Sequence, residues 1–344
     1  MKNTRFTKIK RMAGAKLTAL AADHENGSIV IIVAVAMVVL LGMAALAIDV
    51  GMAYLGAGQV QKAIDAAAYS AGRMLPVDTS DISAQNQIKD NAIIYASFNG
   101  YDNLSRSDII LDDVFMGKYT SMKIEAGQEY TTVFASVLGI DSINFTRKAI
   151  VKLSPISSTT GLAPLGLLES ELKERMESGD LEHVVLKYGK KSGNIFSFGA
   201  LDLDGKPGGG ANDYRLWLAQ GYPGEVYIGD ILIEEPGNMT GPTYQGFSAR
   251  YNDCTHFDAQ SGGLGCITGR YDPNCRRVIK VVVYEPDAKK TVRVCGFAAF
   301  LLEDQTNNGY ITGTFLNIIS DGKASGEELS DENFYGISGL VLAE

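Results

Sequence analysis

The chain has 344 residues, 46% of them hydrophobic, with 38 glycines and a net charge of −9. At about 100–200 residues per domain this allows two or three structural units, and the apolar content excludes a disordered or collagen-like chain. The acidic balance excludes a generally basic nucleic-acid-binding surface, so no nucleic-acid partner is expected.

The charge is unevenly spread. Residues 1–28 carry six Lys or Arg against two acids, a net +4, so the remainder sums to −13. Between these parts, residues 29–48 are twenty positions without charge or proline. At about 1.5 Å per residue they span about 30 Å, the hydrocarbon thickness of a bilayer. A helix apolar on every face over that length does not suit a soluble core. A cleaved signal peptide is the rival, since Ala45-Leu46-Ala47 has the A-x-A form. A signal h-region, however, runs only about 7–15 residues. The expectation is an uncleaved single-pass anchor. Its basic flank precedes it and the next Lys or Arg is Lys62, which puts the N-terminus in the cytoplasm and the C-terminal region outside.

Beyond the span, Val50, Ala53, Ala57, Val60, Ile64, Ala67 and Ala71 recur in steps of three and four up to Pro76. That is helical spacing, so the expectation is one helix of about 45 residues. Gly51, Gly56 and Gly58 weaken its middle and suggest a bend at the bilayer surface. The small side chains of the outer half suit either packing on the chain's own ectodomain or close association with helices of other subunits.

Glu25-Asn26-Gly27-Ser28, the apolar span, Ala47-Ile48-Asp49-Val50-Gly51 and Val60-Gln61-Lys62-Ala63-Ile64-Asp65-Ala66-Ala67-Ala68 together form a pattern. It resembles the N-terminal domain of TadG-like proteins of the bacterial Flp (tight adherence, Tad) pilus-assembly systems. The resemblance covers residues 25–72 and marks Asp49, Gly51, Gln61 and Asp65 on the helix. It implies a bacterial cell membrane location, a non-enzymatic role in pilus assembly as a minor pilin-like or anchoring subunit, and other Tad/Flp assembly proteins or pilin subunits as partners. Asp49 is then either a solvated interfacial charge or a polar contact setting register with a neighbouring helix. Gln61 and Asp65 share a face at i,i+4 and either hold the helix against the ectodomain or face a partner. Lys62 stands three residues from Asp65 and can pair with it. Two departures narrow the resemblance. Pilin-type precursors carry Glu at the fifth position after the processing Gly, and here that position is Ile32. Many larger TadG-like proteins contain a von Willebrand A domain with a D-x-S-x-S metal motif, and Asp78-Thr79-Ser80-Asp81-Ile82 fails at its last position.

The remaining elements follow in chain order. Residues 84–99 read as a helix ended by Asn99-Gly100, 108–116 and 119–126 as strands around Gly117-Lys118, 131–138 as a helix closed by Gly139, and 143–153 as a strand ending at the Pro155 turn. After Pro155 a charged helix (ESELKERM) is followed by short apolar runs at 183–188, 194–201, 225–227, 230–233, 277–285, 292–302 and 309–319, the spacing of an antiparallel β domain. The fold class expected is α+β. A cytoplasmic tail (1–28) leads into the transmembrane helix (29–48) and its amphipathic continuation (49–75). A small pilin-like α+β domain (76–155) and a C-terminal antiparallel β-rich ectodomain (156–344) follow.

Cys254, Cys266, Cys275 and Cys295 all fall in that last unit. An even count in an exported region reads as two disulfides. Runs 277–284 and 291–302 read as a hairpin in which Cys295 opposes Lys280, which argues against a 275–295 bond. The pairings left are 254–275 with 266–295, preferred, or 254–295 with 266–275. Four free thiols, or a zinc site made with His256, are the alternatives; the separations of 11, 8 and 19 residues contain no C-x₂₋₄-C knuckle.

No catalytic constellation is legible: there is no G-x-S-x-G or H-E-x-x-H. Residues 199–206 are a failed P-loop followed by Pro207. Asp202-Leu203-Asp204-Gly205 lacks the third ligand and closing Glu of a calcium loop. Tyr214, Trp217 and Tyr222 read as core aromatics, with a carbohydrate-binding surface as the alternative. No catalytic residue, cofactor or metal is expected. The competing functional reading is a surface adhesin or ligand-binding ectodomain on a Tad-type anchor; a more distant one is an envelope hydrolase.

Overall fold

A computed structural model describes residues 4–188, 196–205, 210–236, 239–256, 265–305 and 310–343, and the side chains among them except at 4–28, 187–188, 196–197 and 305. The architecture is mixed α+β: a long apolar N-terminal helix, a few further helices and a large, mostly antiparallel set of strands.

Helix α1 (Thr4–Gly72) runs unbroken through Gly51, Gly56 and Gly58. Its stretch Ile29–Gly72 is long and apolar enough to cross a membrane. Residues 29–44 are exposed on every face, whereas from Ala53 onward one stripe is buried: Ala57, Val60, Ala63, Ile64, Ala67, Ala68 and Ala71. That stripe packs on α2 (Ile82–Phe98), β3 (Lys118–Thr131) and β4 (Ser142–Thr159). Small residues are needed because the helix lies close to the sheet. A Cβ on Gly72 would stand 2.9 Å from the Val151 side chain.

β1 (Val77–Asp78) and β2 (Ile109–Phe115) pair with β3, which pairs with β4, all antiparallel. The start of α2 is set by Asp81, whose carboxylate accepts the Ala84 N–H at 2.9 Å. Two expectations change here. Of residues 131–138 only Ala135–Leu138 are helical, as a 3₁₀ turn ended by left-handed Gly139, because β3 stays paired with β4 up to Thr131. β4 does not stop at Pro155. Pro155 lacks a donor but offers its carbonyl to Ser325 N–H at 2.7 Å, and the strand continues to Thr159.

The second unit contains β5 (Leu162–Leu168), α3 (Glu169–Ser178), β6 (Val184–Tyr188), β7 (Phe196–Asp202), α4 (Gly210–Gln220), β8 (Val226–Tyr227), β9 (Ile231–Glu234), α5 (Thr240–Asn252), β10 (Val278–Ala288), β11 (Thr291–Gln305) and β12 (Tyr310–Leu316). Hydrogen bonding runs β10-β5-β7-β6-β12-β11 and returns to β10, closing a six-stranded ring, with β9 bridging β11 and β7. Closure removes exposed edges. The ring is not wholly antiparallel: β5 and β10, and β6 and β7, pair in parallel. Its strands are buried on both faces, with Ala298, Phe300 and Leu302 in one apolar cluster and Phe297, Ala299 and Leu301 in another.

β13 (Ile318–Ile319), β14 (Lys323–Ala324) and β15 (Ile337–Ala343) then return to the first sheet. β15 pairs with β4 from Pro155 to Ile150. The boundary drawn at 155/156 therefore does not separate two consecutive domains: the closed ring is an insertion between β4 and β15.

Candidate functional site at the anchor–head junction

Asp49 is the first residue after the uncharged span, yet it is buried, with 1% of its surface exposed. Its Oδ1 accepts the Val133 N–H at 3.0 Å, and its Oδ2 accepts those of Phe134 and Ala135 at 2.8 and 2.6 Å. These N–H groups open the 3₁₀ turn of the β3–β4 connection, where they have no partner within the turn. Asp49 is therefore not a solvated charge: its carboxylate is taken up by the chain's own loop. It fastens the end of the uncharged stretch of α1 to the chain's own head.

Gln61 continues this attachment. Its Nε2 donates to Asp65 Oδ1 at 2.8 Å and to the Lys148 carbonyl of β4 at 3.0 Å. Of the positions marked in the sequence, Asp49, Gln61 and Asp65 thus lie along the face that meets the head, while Gly51 is exposed with no heavy atom near a Cβ built on it. The loop that Asp49 holds is apolar and outward-facing: Val133 is 65% exposed, Val137 86% and Leu138 68%. Nothing in the sequence tied this loop to Asp49, because the contact spans more than eighty residues.

The four cysteines are free. Both expected disulfide pairings need Cys295 beside a second cysteine, but Cys295 sits with Glu169 and Glu285. The hairpin register differs as well: Lys280 pairs with Ala299, and Cys295 falls at a bulge between the partners of Tyr284 and Val283, because the strands continue to Ala288 and Thr291 and only Lys289-Lys290 turn, instead of 285–290. Cys254, His256, Cys266 and Cys275 converge, with their ligand atoms all within 4.8 Å of one another. Burial pushes the Cys275 thiol up to about 12 and the Cys295 thiol up to about 11. Burial also raises Cys254, but hydrogen bonds from the Cys266 backbone, the His256 ring and backbone, and Cys275 outweigh it and bring this thiol down to about 6.

Elsewhere, Asp202 Oδ1 accepts the N–H groups of Asp204 and Gly205, the arrangement of a polar turn. Burial and the neighbouring Asp204 charge raise the Asp202 carboxyl, and burial with Asp202, Asp213 and Asp204 raises Glu235. Tyr214 is a core residue whose hydroxyl meets Thr243 at 2.9 Å, and Trp217 stacks edge-on against Tyr222 at 4.8 Å.

The site's geometry defines a class: a head domain fastened along the outer half of a helix that fits a membrane anchor. Residues 27–74 match the family model of putative Flp pilus-assembly TadE/G-like proteins. The chain thus carries a TadE/G-like segment of the Flp pilus-assembly type, which spans the anchor and the stripe packed on the head. No curated protein and no solved structure matches the chain.

Proposed function

We propose that this protein is a non-enzymatic, single-pass component of Flp/Tad-type pilus assembly, acting as a minor pilin-like or anchoring subunit. Its N-terminus faces the cytoplasm, and both the head and the inserted ring lie on the outer side. The observation that carries this reading is the coincidence of the TadE/G-like segment with the helix that is bare over 29–44 and built into the head from Ala53. The basic flank of residues 1–28 favours the orientation. The apolar Val133–Leu138 loop, fixed to Asp49 at the end of the span, lies where it can enter the lipid interface beside the helix.

Deleting the gene should abolish surface fibres, and the detergent-solubilised protein should co-purify with pilus-assembly components. Normal fibres in the deletion strain would sink the assembly reading. Normal fibres with lost attachment would point instead to an adhesin.

A further inference from the structure

We propose that Cys254, His256, Cys266 and Cys275 bind one zinc ion in a closed, tetrahedral Cys₃His site that ties the end of α5 to the start of β10. Three separate pieces of chain supply the ligands. Cys254 and His256 follow α5, where Cys254 N–H bonds the Tyr251 carbonyl at 3.3 Å. Cys266 precedes a tight turn in which Ile267 and Arg270 exchange backbone hydrogen bonds of 3.0 and 2.9 Å. Cys275 leads into β10, its N–H on the Asp272 carbonyl at 2.9 Å. This convergence makes up for the missing C-x₂₋₄-C knuckle.

The distances fit. Zinc bonds of about 2.3 Å to sulfur and 2.0 Å to nitrogen at tetrahedral angles put ligand atoms about 3.5–3.8 Å apart. The four atoms already lie within 4.8 Å of one another, and Cys254 Sγ stands 3.9 Å from His256 Nδ1. Three soft sulfurs and an imidazole select zinc over the hard, oxygen-seeking calcium and magnesium.

The surroundings supply a second, independent argument. His256 turns Nδ1 toward the sulfurs and Nε2 toward Asp272 Oδ2 at 3.2 Å. A carboxylate on the far nitrogen is the usual partner of a zinc-bound histidine, because it fixes the tautomer and the ring plane. Backbone N–H groups of Asp272 and Arg277 point at the Cys266 and Cys275 sulfurs from 3.5 and 3.4 Å. Three thiolates and a neutral imidazole around Zn²⁺ leave a net charge of −1, and the buried Arg277 cation lies alongside. A Cβ on Gly265 would be 2.7 Å from Arg277 Nη1 and 3.2 Å from Cys254 Sγ. A disulfide accounts for less: it would join two of the three sulfurs and leave the third thiol and the His256–Asp272 pair unexplained.

The test is metal analysis of the full chain, purified in detergent without chelator. One zinc per chain is expected, retained in Cys295→Ser and lost in Cys266→Ser. Cobalt exchange into the native chain covers the risk that Cys266→Ser fails to fold. It should produce a thiolate-to-cobalt charge-transfer band and the intense visible bands of a tetrahedral ion. Asp272→Asn should weaken zinc binding about 10–100-fold in competition with a chromophoric chelator. Substoichiometric zinc, or a disulfide joining any two of Cys254, Cys266 and Cys275 in the native chain, overturns the proposal. Unchanged zinc affinity in Asp272→Asn overturns the place of His256 in the ligand set.

Discussion

Ile64→Ala tests whether the outer half of α1 belongs to its own head or is available to other subunits. Ile64 is fully buried, in a cluster that includes Met122, Ile124 and Val151 of the sheet. Removing three carbons at about 0.8 kcal/mol each forfeits about 2.4 kcal/mol of transfer free energy, and the residual cavity brings such replacements to about 2–5 kcal/mol. At about 2–4 °C per kcal/mol for a domain of this size, the head should melt about 4–20 °C lower. Calorimetry of the detergent-solubilised chain measures this, with hydrogen exchange at the Met122 and Ile124 amides localising the loss to the first sheet. Fluorescence of Trp217, the one tryptophan, reports the inserted unit separately. Tyr54→Ala, at a position 74% exposed, is the control and should stay within about 0.5 kcal/mol. If Ile64→Ala melts like the parent, the buried stripe does not hold the head in solution, and helix association between subunits becomes the better reading.

Other expectations follow from the same contacts. Asp49→Ala should leave the sheet folded but speed amide exchange at Val133, Phe134 and Ala135 and open the loop to protease; parental exchange there would contradict its capping role. Val137→Trp in nanodiscs should gain fluorescence that brominated lipid quenches, and an unquenched tryptophan would place the loop outside the bilayer. Asp202 has a raised carboxyl pKa, so its charge opposes folding above that value, and the penalty fades as pH falls toward its ordinary value near about 4. Asp202→Asn keeps the Oδ1 acceptor, so its melting temperature should exceed the parent's at pH 7, with the gain vanishing on acidification; a gain independent of pH would refute the electrostatic cause. Removing residues 337–344 should strip β4 of a six-residue pairing and make the first sheet protease-sensitive, and a truncated chain with the parent's melting point would refute the shared-sheet topology.

Local signals were legible in the sequence where they matched their surroundings. The step-three-and-four alternation of Ala57, Val60, Ile64 and Ala67 locates the buried face of α1, and the 84–99 periodicity locates α2, whose capping by Asp81 only the structure shows. The Tad-type pattern was legible too, because its polar residues interrupt an otherwise apolar helix. What failed was long-range. The return of β15 to β4 leaves no local mark, since Ile337–Ala343 reads as an ordinary apolar run. α4 and α5 were missed because glycine and short polar residues dilute their periodicity: Gly241 and Gly246 lie inside α5, where Gly246 is required by the Leu218 side chain 2.5 Å from a would-be Cβ. The Cys254–His256–Cys266–Cys275 cluster stands in the sequence only as an alternative to disulfides. An even cysteine count suggested pairs, while the fold gathers three sulfurs and an imidazole and leaves Cys295 apart.

The insertion has a mechanical consequence for an anchored subunit. β4 begins at Ser142, just past the loop that Asp49 fastens at the end of the apolar stretch of α1. Its far end, at Ser158 and Thr159, pairs with β8 before the chain enters the ring at Leu162. Eighteen residues at about 3.3 Å each make this strand about 60 Å long, less what twisting removes. Along it α1, β3 and β15 pack or pair in turn, and β14 and β8 brace its outer end. Because the chain leaves the first sheet at β4 and comes back to it at β15, the ring is held by two adjacent, hydrogen-bonded strands rather than by a single flexible linker. A load applied to the ring then meets paired strands pulled from the same end, and it reaches α1 through the sheet that buries Ile64 and Ala67. Such an arrangement holds the ring in a fixed orientation relative to α1.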